Sequence, residues 1–144
     1  MQYFKEYINK LRNITGGENE DIKIIIGNYK DYNPSKIVSE KEKKDYIGKK
    51  DVFASAYIND NLTGSLRAKF IDDSYVIRDV YVLPKYRGLG IGKKLMIKIM
   101  DHLKNKKIIL YVDPKNEVAI NLYKKLGFIL IKEKDEYGDK YEYI

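Results

Sequence analysis

The sequence has no cysteine, no tryptophan and a single histidine, His102, among its 144 residues. The absence of cysteine excludes disulfide bridges, iron–sulfur clusters, thiolate metal sites and a cysteine nucleophile. One histidine is too few for a multi-histidine metal site, so we expect no bound metal. His102 lies three residues after Ile99 in a segment of helical periodicity, and we expect it at the surface rather than in catalysis.

Long apolar runs are also missing, since the longest is the pentapeptide at 108–112. That length is far too short to cross a bilayer, so we expect no membrane partner. The first residues include Lys5, Glu6 and Lys10, which is not the pattern of a signal peptide. We therefore expect one cytoplasmic domain that spans residues 1–144.

Positive charge is concentrated in one part of the chain. Residues 84–134 carry 13 basic and 4 acidic side chains, whereas the whole chain has a net charge of +7. Such a segment suits a polyphosphate ligand, nucleic acid or simple solvation. Only four of the 28 basic residues are arginine, which argues against base-specific reading of nucleic acid.

The hydrophobic pattern changes along the chain from alternation to helical spacing. It predicts a helix at 2–12, a strand at 21–29, a long polar connection at 30–50, and strands at 52–59, 62–70 and 74–83. A helix from 91, a strand at 107–112 and a helix at 116–126 follow. Two closing strands at 128–132 and 140–144 are joined through the polar stretch 133–139. This order indicates an α/β or α+β domain in which helices pack on a sheet.

The most informative stretch is the glycine-rich turn between the strand that ends at Leu83 and the following helix. Gly88, Gly90 and Gly92 allow positive φ angles and close approach of a ligand to the backbone. The first turn of a helix offers free N–H groups and a positive dipole end, which together suit an anion. The spacing is neither that of a P-loop nor that of a dinucleotide fingerprint.

Two motifs resemble the GNAT superfamily of N-acetyltransferases. The first reads R-G-L-G-I-G at 87–92, after the strand sequence D-V-Y-V-L-P-K-Y at 79–86. The second has Asn116, Ala119, Leu122-Tyr123 and Gly127-Phe128 at the expected spacing. The resemblance covers residues 74–132. It implies a mixed, mostly antiparallel central sheet of six to seven strands with helices on both faces.

The resemblance also implies the site and the co-substrate, acetyl-CoA. It assigns CoA contacts to the strand and the loop, mainly through the backbone, and to one helix start: Val80, Val82, Arg87, Gly88, Leu89, Gly90, Ile91, Gly92, Lys93 and Asn116. Asn116 is equally well explained as a plain helix N-cap. Tyr123 would protonate the departing CoA thiolate, because a phenol of pKa about 10 and a thiol of about 8.5 can exchange a proton.

The base that deprotonates the acceptor amine is open between Asp79, Asp113 and a water chain. Some family members carry glutamate where this chain has Arg78, which argues against a polyamine acceptor. An alternative role for Arg78 is to bind an acidic group on the acceptor. Strict alternation along the strand would place Asp79 on the opposite sheet face from Arg78.

We therefore expect an N-acetyltransferase that transfers the acetyl group of acetyl-CoA directly to a primary amine of a small molecule or protein. The alternative is a non-catalytic module on the same fold that senses acyl-CoA or binds nucleic acid. Members of the family often form homodimers, and a homodimer is compatible with this sequence.

Overall fold

A computed structural model describes residues 22–28 and 48–143 of the chain. These residues form seven strands and two α-helices. The strands are β1 (Ile22–Gly27), β2 (Val52–Ile58), β3 (Asn61–Ile71), β4 (Ser74–Val82), β5 (Ile108–Val112), β6 (Ile129–Asp135) and β7 (Gly138–Tyr143). The helices are α1 (Ile91–His102) and α2 (Glu117–Lys125), and a 3₁₀ turn at Pro84–Tyr86 precedes α1.

The strands form one mixed sheet in the order β1-β2-β3-β4-β5-β7-β6. Only β4 and β5 pair in parallel, and α1 connects them, so the predicted mostly antiparallel sheet is confirmed. None of the described helices is long and apolar enough to cross a bilayer.

Two tight turns make the first half of the sheet a meander. Asn59 and Asp60 join β2 to β3 with φ angles of 49° and 64°. Asp72 and Asp73 join β3 to β4 with φ angles of 49° and 62°. Two successive positive φ angles define the turn type that matches the right-handed twist of a hairpin, and Asn and Asp adopt them more readily than most residues. Both turns are where the sequence predicts them.

The hydrophobic core lies on one face of this sheet. Its strand side includes Ala54, Leu66 and Leu110, and its helix side includes Leu95 and Ile99, all of them buried. Residues of α2 and the segment after it pack on the same cluster. Both described helices thus cover one face, and any helix of residues 2–12, expected from the sequence, lies outside the described residues.

The structure differs from the sequence prediction between β6 and β7. Residues 133–139 were expected to form a polar connection, but β6 continues to Asp135 and β7 begins at Gly138. The strands pair as a hairpin whose register shifts on both sides of Lys132. The Asp139 carboxylate accepts a hydrogen bond from the Lys134 N–H at 3.0 Å, which ties the two strands together. The polar composition of this stretch therefore did not predict that it forms a hairpin at the edge of the sheet. The polar connection predicted at 30–50 is described only from residue 48 onward.

Asp51 links the start of β2 to the end of β3. Its side chain is 1% exposed. It accepts backbone hydrogen bonds from Gly48 and Phe70, both at 2.9 Å. Both bonds are partly buried, and an N–H group shielded from water that loses its acceptor costs about 1–3 kcal/mol.

We expect Asp51→Ala to lower the free energy of unfolding by about 2–4 kcal/mol, because two N–H groups lose their acceptor. Urea unfolding measures the change. Asp101→Ala is the matched control, since its carboxylate is 66% exposed and pairs only with Lys104. That control should cost about 0.5 kcal/mol or less. Equal effects of the two substitutions would show that Asp51 does not hold the strands.

Candidate functional site

The site begins where β4 and β5 separate. The two strands pair only at Tyr75–Ile108 and Val76–Ile109, although β4 continues to Val82. The edge of β4 beyond Val76 therefore faces a gap instead of a neighbouring strand. A gap at the carboxyl ends of two parallel strands is a usual place for a ligand in an α/β sheet.

A bulge in β4 shapes this gap. The pairing with β3 passes from Ser65–Tyr81 to Arg67–Arg78, so β4 carries one extra residue there. Asp79 lies in the extra segment with a φ of 55°, a left-handed conformation that is costly for a residue other than glycine. The bulge breaks the alternation that would have placed Asp79 opposite Arg78. Instead, the Asp79 carboxylate lies 3.3 Å from Nη2 of Arg67, which is the sheet partner of Arg78.

The loop before α1 is held to the core by its apolar side chains. Ile91 is buried and Leu89 packs against the core. Gly90, the N-cap residue of α1, has a φ of 77°, and Gly88 has a φ of 85°. Gly90 has no side chain to accept the N–H groups of the first turn, so those groups are suited to an anionic ligand. Gly92 does not need a positive φ, contrary to the sequence expectation, because it lies within the first turn of α1.

Arg87 fastens the loop to the strand. Its Nε donates a hydrogen bond to the carbonyl oxygen of Val82 at 2.9 Å. Its guanidinium carbon lies 5.6 Å from the centre of the Tyr81 ring. The side chain is exposed, so it places positive charge beside the loop while it fixes the end of β4.

A cleft of about 670 Å³ lies between this loop and α2. It is lined by Val82, Arg87, Lys93, Asn116, Val118, Ala119, Asn121, Leu122 and Lys125. Asn116 is the N-cap of α2, and its side-chain oxygen accepts from the Ala119 N–H at 3.2 Å. The N-cap prediction is confirmed. Asn121 and Lys125 were not singled out from the sequence, and their only signal was their helical spacing from the predicted residues.

A second cleft, of about 330 Å³, occupies the gap between β4 and β5. It is lined by Ile77, Arg78, Asp79, Val80, Leu110, Tyr111, Tyr123 and Tyr137. Tyr111 and Tyr137 were missed by sequence reasoning. Tyr137 lies within the stretch that was expected to be a polar connection, and the pattern around Tyr111 indicates only a strand.

Tyr123 lies on the α2 side of this second cleft. Its ring packs edge-on against Phe128, with centroids 6.0 Å apart. Burial raises the pKa of the Tyr123 phenol above its ordinary value of 10.0. The phenol is therefore protonated at neutral pH and can donate a proton into the cleft.

The two clefts follow the same strand and helix. Val82 and Leu122 line the larger cleft, whereas Val80 and Tyr123 line the smaller one. A long ligand that begins at the loop can therefore run along β4 and bring its reactive end to Tyr123.

Asp113 does not line the smaller cleft. It is exposed, and its carboxylate accepts a hydrogen bond from the Lys115 N–H at 2.9 Å in the turn before α2. This position argues against Asp113 as the base and leaves Asp79 as the carboxylate at the cleft. His102 is exposed at the end of α1, as expected. Within residues 22–28 and 48–143, no three histidine, aspartate or glutamate side chains converge as metal ligands.

Comparisons with known proteins agree with this geometry. The model of the acetyltransferase (GNAT) family matches residues 23–128. N-alpha-acetyltransferase 50 of Danio rerio is 30% identical over 113 residues, which are 72% of this chain and 67% of that protein.

Other similarities cover a smaller share of the related protein or are similarities of three-dimensional structure. The mycothiol acetyltransferase of Paenarthrobacter aurescens is 44% identical over 59 residues, which are 37% of this chain and only 18% of the relative. The structure of Arabidopsis thaliana Naa50 in complex with the bisubstrate analogue CoA-Ac-MVNAL superposes with a TM-score of 0.58 and 25% identity, covering 83% of this chain and 95% of that one. The family model, the relatives and the fold agree that this chain belongs to the GNAT family of acetyltransferases.

Proposed function

We propose that the protein is an acetyl-CoA-dependent N-acetyltransferase that transfers the acetyl group directly to a primary amine in a ternary complex. The observation that carries the proposal is that Tyr123 lines the gap between β4 and β5, while its neighbour Leu122 lines the larger cleft beside the loop. A donor and an acceptor can therefore meet beside a protonated phenol.

The larger cleft fits the donor. The N–H groups at the start of α1 suit a pyrophosphate, and Arg87, Lys93 and Lys125 add positive charge around it. A β-carbon at position 88 would meet no atom within 4 Å, and one at position 92 would meet only Val82, at 3.9 Å. The backbone of the loop is thus accessible from the cleft. The proposed donor contacts are the backbone of Val80, Val82 and residues 87–93, together with the side chain of Asn116.

The chemistry needs few side chains. Acetyl-CoA supplies an activated thioester, and the amine nitrogen bonds to its carbonyl carbon as the carbon–sulfur bond breaks. The N–H of Val80 is suited to polarise the carbonyl oxygen, because Val80 lies on the unpaired edge of β4. Tyr123 gives its proton to the departing thiolate, and the phenolate takes up the proton that the attacking nitrogen loses as the amide forms. Direct transfer is favoured, since the chain has no cysteine to hold an acetyl intermediate.

The amine must lose a proton before it attacks. An ordinary lysine-like amine of pKa about 10.4 is neutral in roughly one molecule in 2,500 at pH 7. We propose that Asp79 receives this proton, directly or through water, because its carboxylate lines the smaller cleft and is 71% exposed. Because the carboxylate is in contact with solvent, it can pass the proton on to bulk water directly.

The complex of Naa50 with a molecule that joins CoA to a peptide supports two substrates bound together. The acceptor class is thus an amine, on a small molecule or a protein, and the cytoplasm remains the proposed compartment.

No observation on the described residues favours the non-catalytic alternative. Release of free thiol from acetyl-CoA, measured against a panel of amines, tests the activity. Acetyl-CoA binding without thiol release for any amine would overturn it.

Gly90→Val should abolish binding of acetyl-CoA, because valine is strained at a φ of 77° and its side chain blocks the backbone of the loop. In the wild type, ligand at about 100 times its Kd stabilises the fold by about 2.7 kcal/mol, which raises the Tm by several degrees. Thermal unfolding with and without acetyl-CoA measures the shift.

Asp73→Val is the matched control, since it places valine at a similar φ of 62° in a distant hairpin turn. Both variants should unfold at a lower temperature than the wild type, but only Gly90→Val should lose the shift with ligand. A full shift in Gly90→Val would rule out the loop as the donor site.

Tyr123→Phe should lower kcat by about 100-fold or more and leave the KM for acetyl-CoA nearly unchanged, because the proton donor is lost while the ring still packs on Phe128. Tyr57→Phe, a half-buried tyrosine of β2 that lines neither cleft, should have wild-type kinetics. A loss of acetyl-CoA binding equal to the loss of kcat would contradict the role of Tyr123 as an acid.

The pH dependence follows from the raised pKa of Tyr123. The phenol must be protonated to act, so we expect no loss of activity from Tyr123 ionisation at any pH up to 10.0. Over the same range kcat/KM should rise with pH, because a larger fraction of the amine is deprotonated. A profile of kcat/KM from pH 6 to 10, measured with an amine that has no other ionisable group, checks this. A falling limb well below pH 9 in the wild type that disappears in Tyr123→Phe would show that burial does not raise this pKa.

A further inference from the structure

The smaller cleft has an end that faces away from Tyr123. Leu110 of β5 belongs to the core face, so its neighbour Tyr111 points to the opposite face of the sheet. The Tyr111 ring meets the Tyr137 ring edge-on, with centroids 5.6 Å apart. These two rings line the cleft on the sheet face opposite the core, and we place the entrance for the amine substrate on this side.

The charges at this end do not cancel. Asp79 pairs with Arg67 at 3.3 Å, and Asp135 pairs with Lys132 at 3.7 Å. Arg78 is half-buried and lines the cleft, yet within the described parts of the chain no carboxylate forms an ion pair with it. Among residues 22–28 and 48–143, the entrance therefore has one positive charge, that of Arg78, with no carboxylate in an ion pair with it.

Arg78 lies close to the aromatic wall. Burial and the charge of Asp135 raise the pKa of the Tyr111 phenol, and the Arg78 guanidinium opposes them. The guanidinium is thus near enough to Tyr111 to act on its ionisation. A ligand that contacts the two rings is also within reach of Arg78.

We propose that the acceptor is a small primary amine that also carries a carboxylate, such as an amino acid, and that Arg78 binds that carboxylate. The inference rests on the proposed function, since it names the substrate class of the same site. The planar fork of an arginine matches a carboxylate with two hydrogen bonds. A single negative charge completes the balance at the entrance, whereas a polyamine would bring further positive charge against Arg78.

The size of the cleft supports a small acceptor. At about 330 Å³ it is at the lower limit of cavities that enclose a small ligand. Tyr111 and Tyr137 provide apolar contact for the carbon skeleton, and Asp79 lies beside Arg78 in the sequence. The carboxylate end of one small molecule can thus meet Arg78, while its amine end lies beside Asp79, the proton acceptor proposed above.

The test compares matched acceptors. The panel holds α-amino acids, β-alanine and 4-aminobutyrate, each beside its carboxamide, and peptides that begin with Asp beside peptides that begin with Asn. Acetyl transfer is followed by thiol release and mass spectrometry. In the wild type, kcat/KM should be roughly 10- to 100-fold higher for a small carboxylate than for its carboxamide.

Arg78→Gln should raise the KM of the carboxylate about 10- to 100-fold relative to that of its carboxamide, so that the preference is lost. Arg78→Lys should restore part of the preference. Lys106→Gln is the control, because it removes the same charge at an exposed position that lines neither cleft. These results together would establish the role of Arg78 in recognition.

Four outcomes would overturn the inference. Equal or better use of carboxamides by the wild type would show that Arg78 does not select an anion, yet the acetyltransferase activity would stand. A preference for Asp-initiated peptides over the free amino acids would assign the site to a protein acceptor. No transfer to any panel member, with transfer to other amines, would exclude this substrate class, and no transfer to any amine would overturn the proposed function as well.

Discussion

The site depends on the early end of pairing between β4 and β5. Two residue pairs join these strands, and beyond Val76 the backbone of β4 faces a gap. A fully paired strand would have its N–H and C=O groups satisfied, and no cleft would cross the sheet. Because the strands diverge, Val80 and Val82 face the ligand clefts while α1 and α2 still pack on one core. The gap thus lies beyond the two paired residues, in a sheet whose strands stay fixed by their packing on the core.

In the proposed reaction, the two ends of the site use different kinds of recognition. The proposed donor end relies on backbone: a loop with left-handed Gly88 and Gly90, a helix start and an Arg87 side chain that fixes Val82. The acceptor end relies on side chains, since Arg78 and the tyrosines of β5 and the β6–β7 hairpin wall it. Substitutions there alter specificity without loss of the fold.

Much of this arrangement is predictable from sequence, because it follows from local patterns. The Asn59–Asp60 turn, the stripe from Ile91 to Ile99 and the Asn116 cap each rest on residues close together in the chain. The bulge at Asp79 has no such signal, since no local pattern marks an extra residue within a strand and it is seen only in the pairing with β3. The contact between Tyr111 and Tyr137 joins residues far apart in sequence, so periodicity cannot reveal it.

The central claim is that the backbone of β4 and of the loop before α1 holds the donor. The most direct measurement is a titration of the ¹⁵N-labelled protein with coenzyme A, followed by amide chemical shifts. The account predicts the largest changes at the N–H groups of Val80, Val82 and residues 87–93. Unchanged amides at those positions, with changes confined to other parts of the protein, would contradict it.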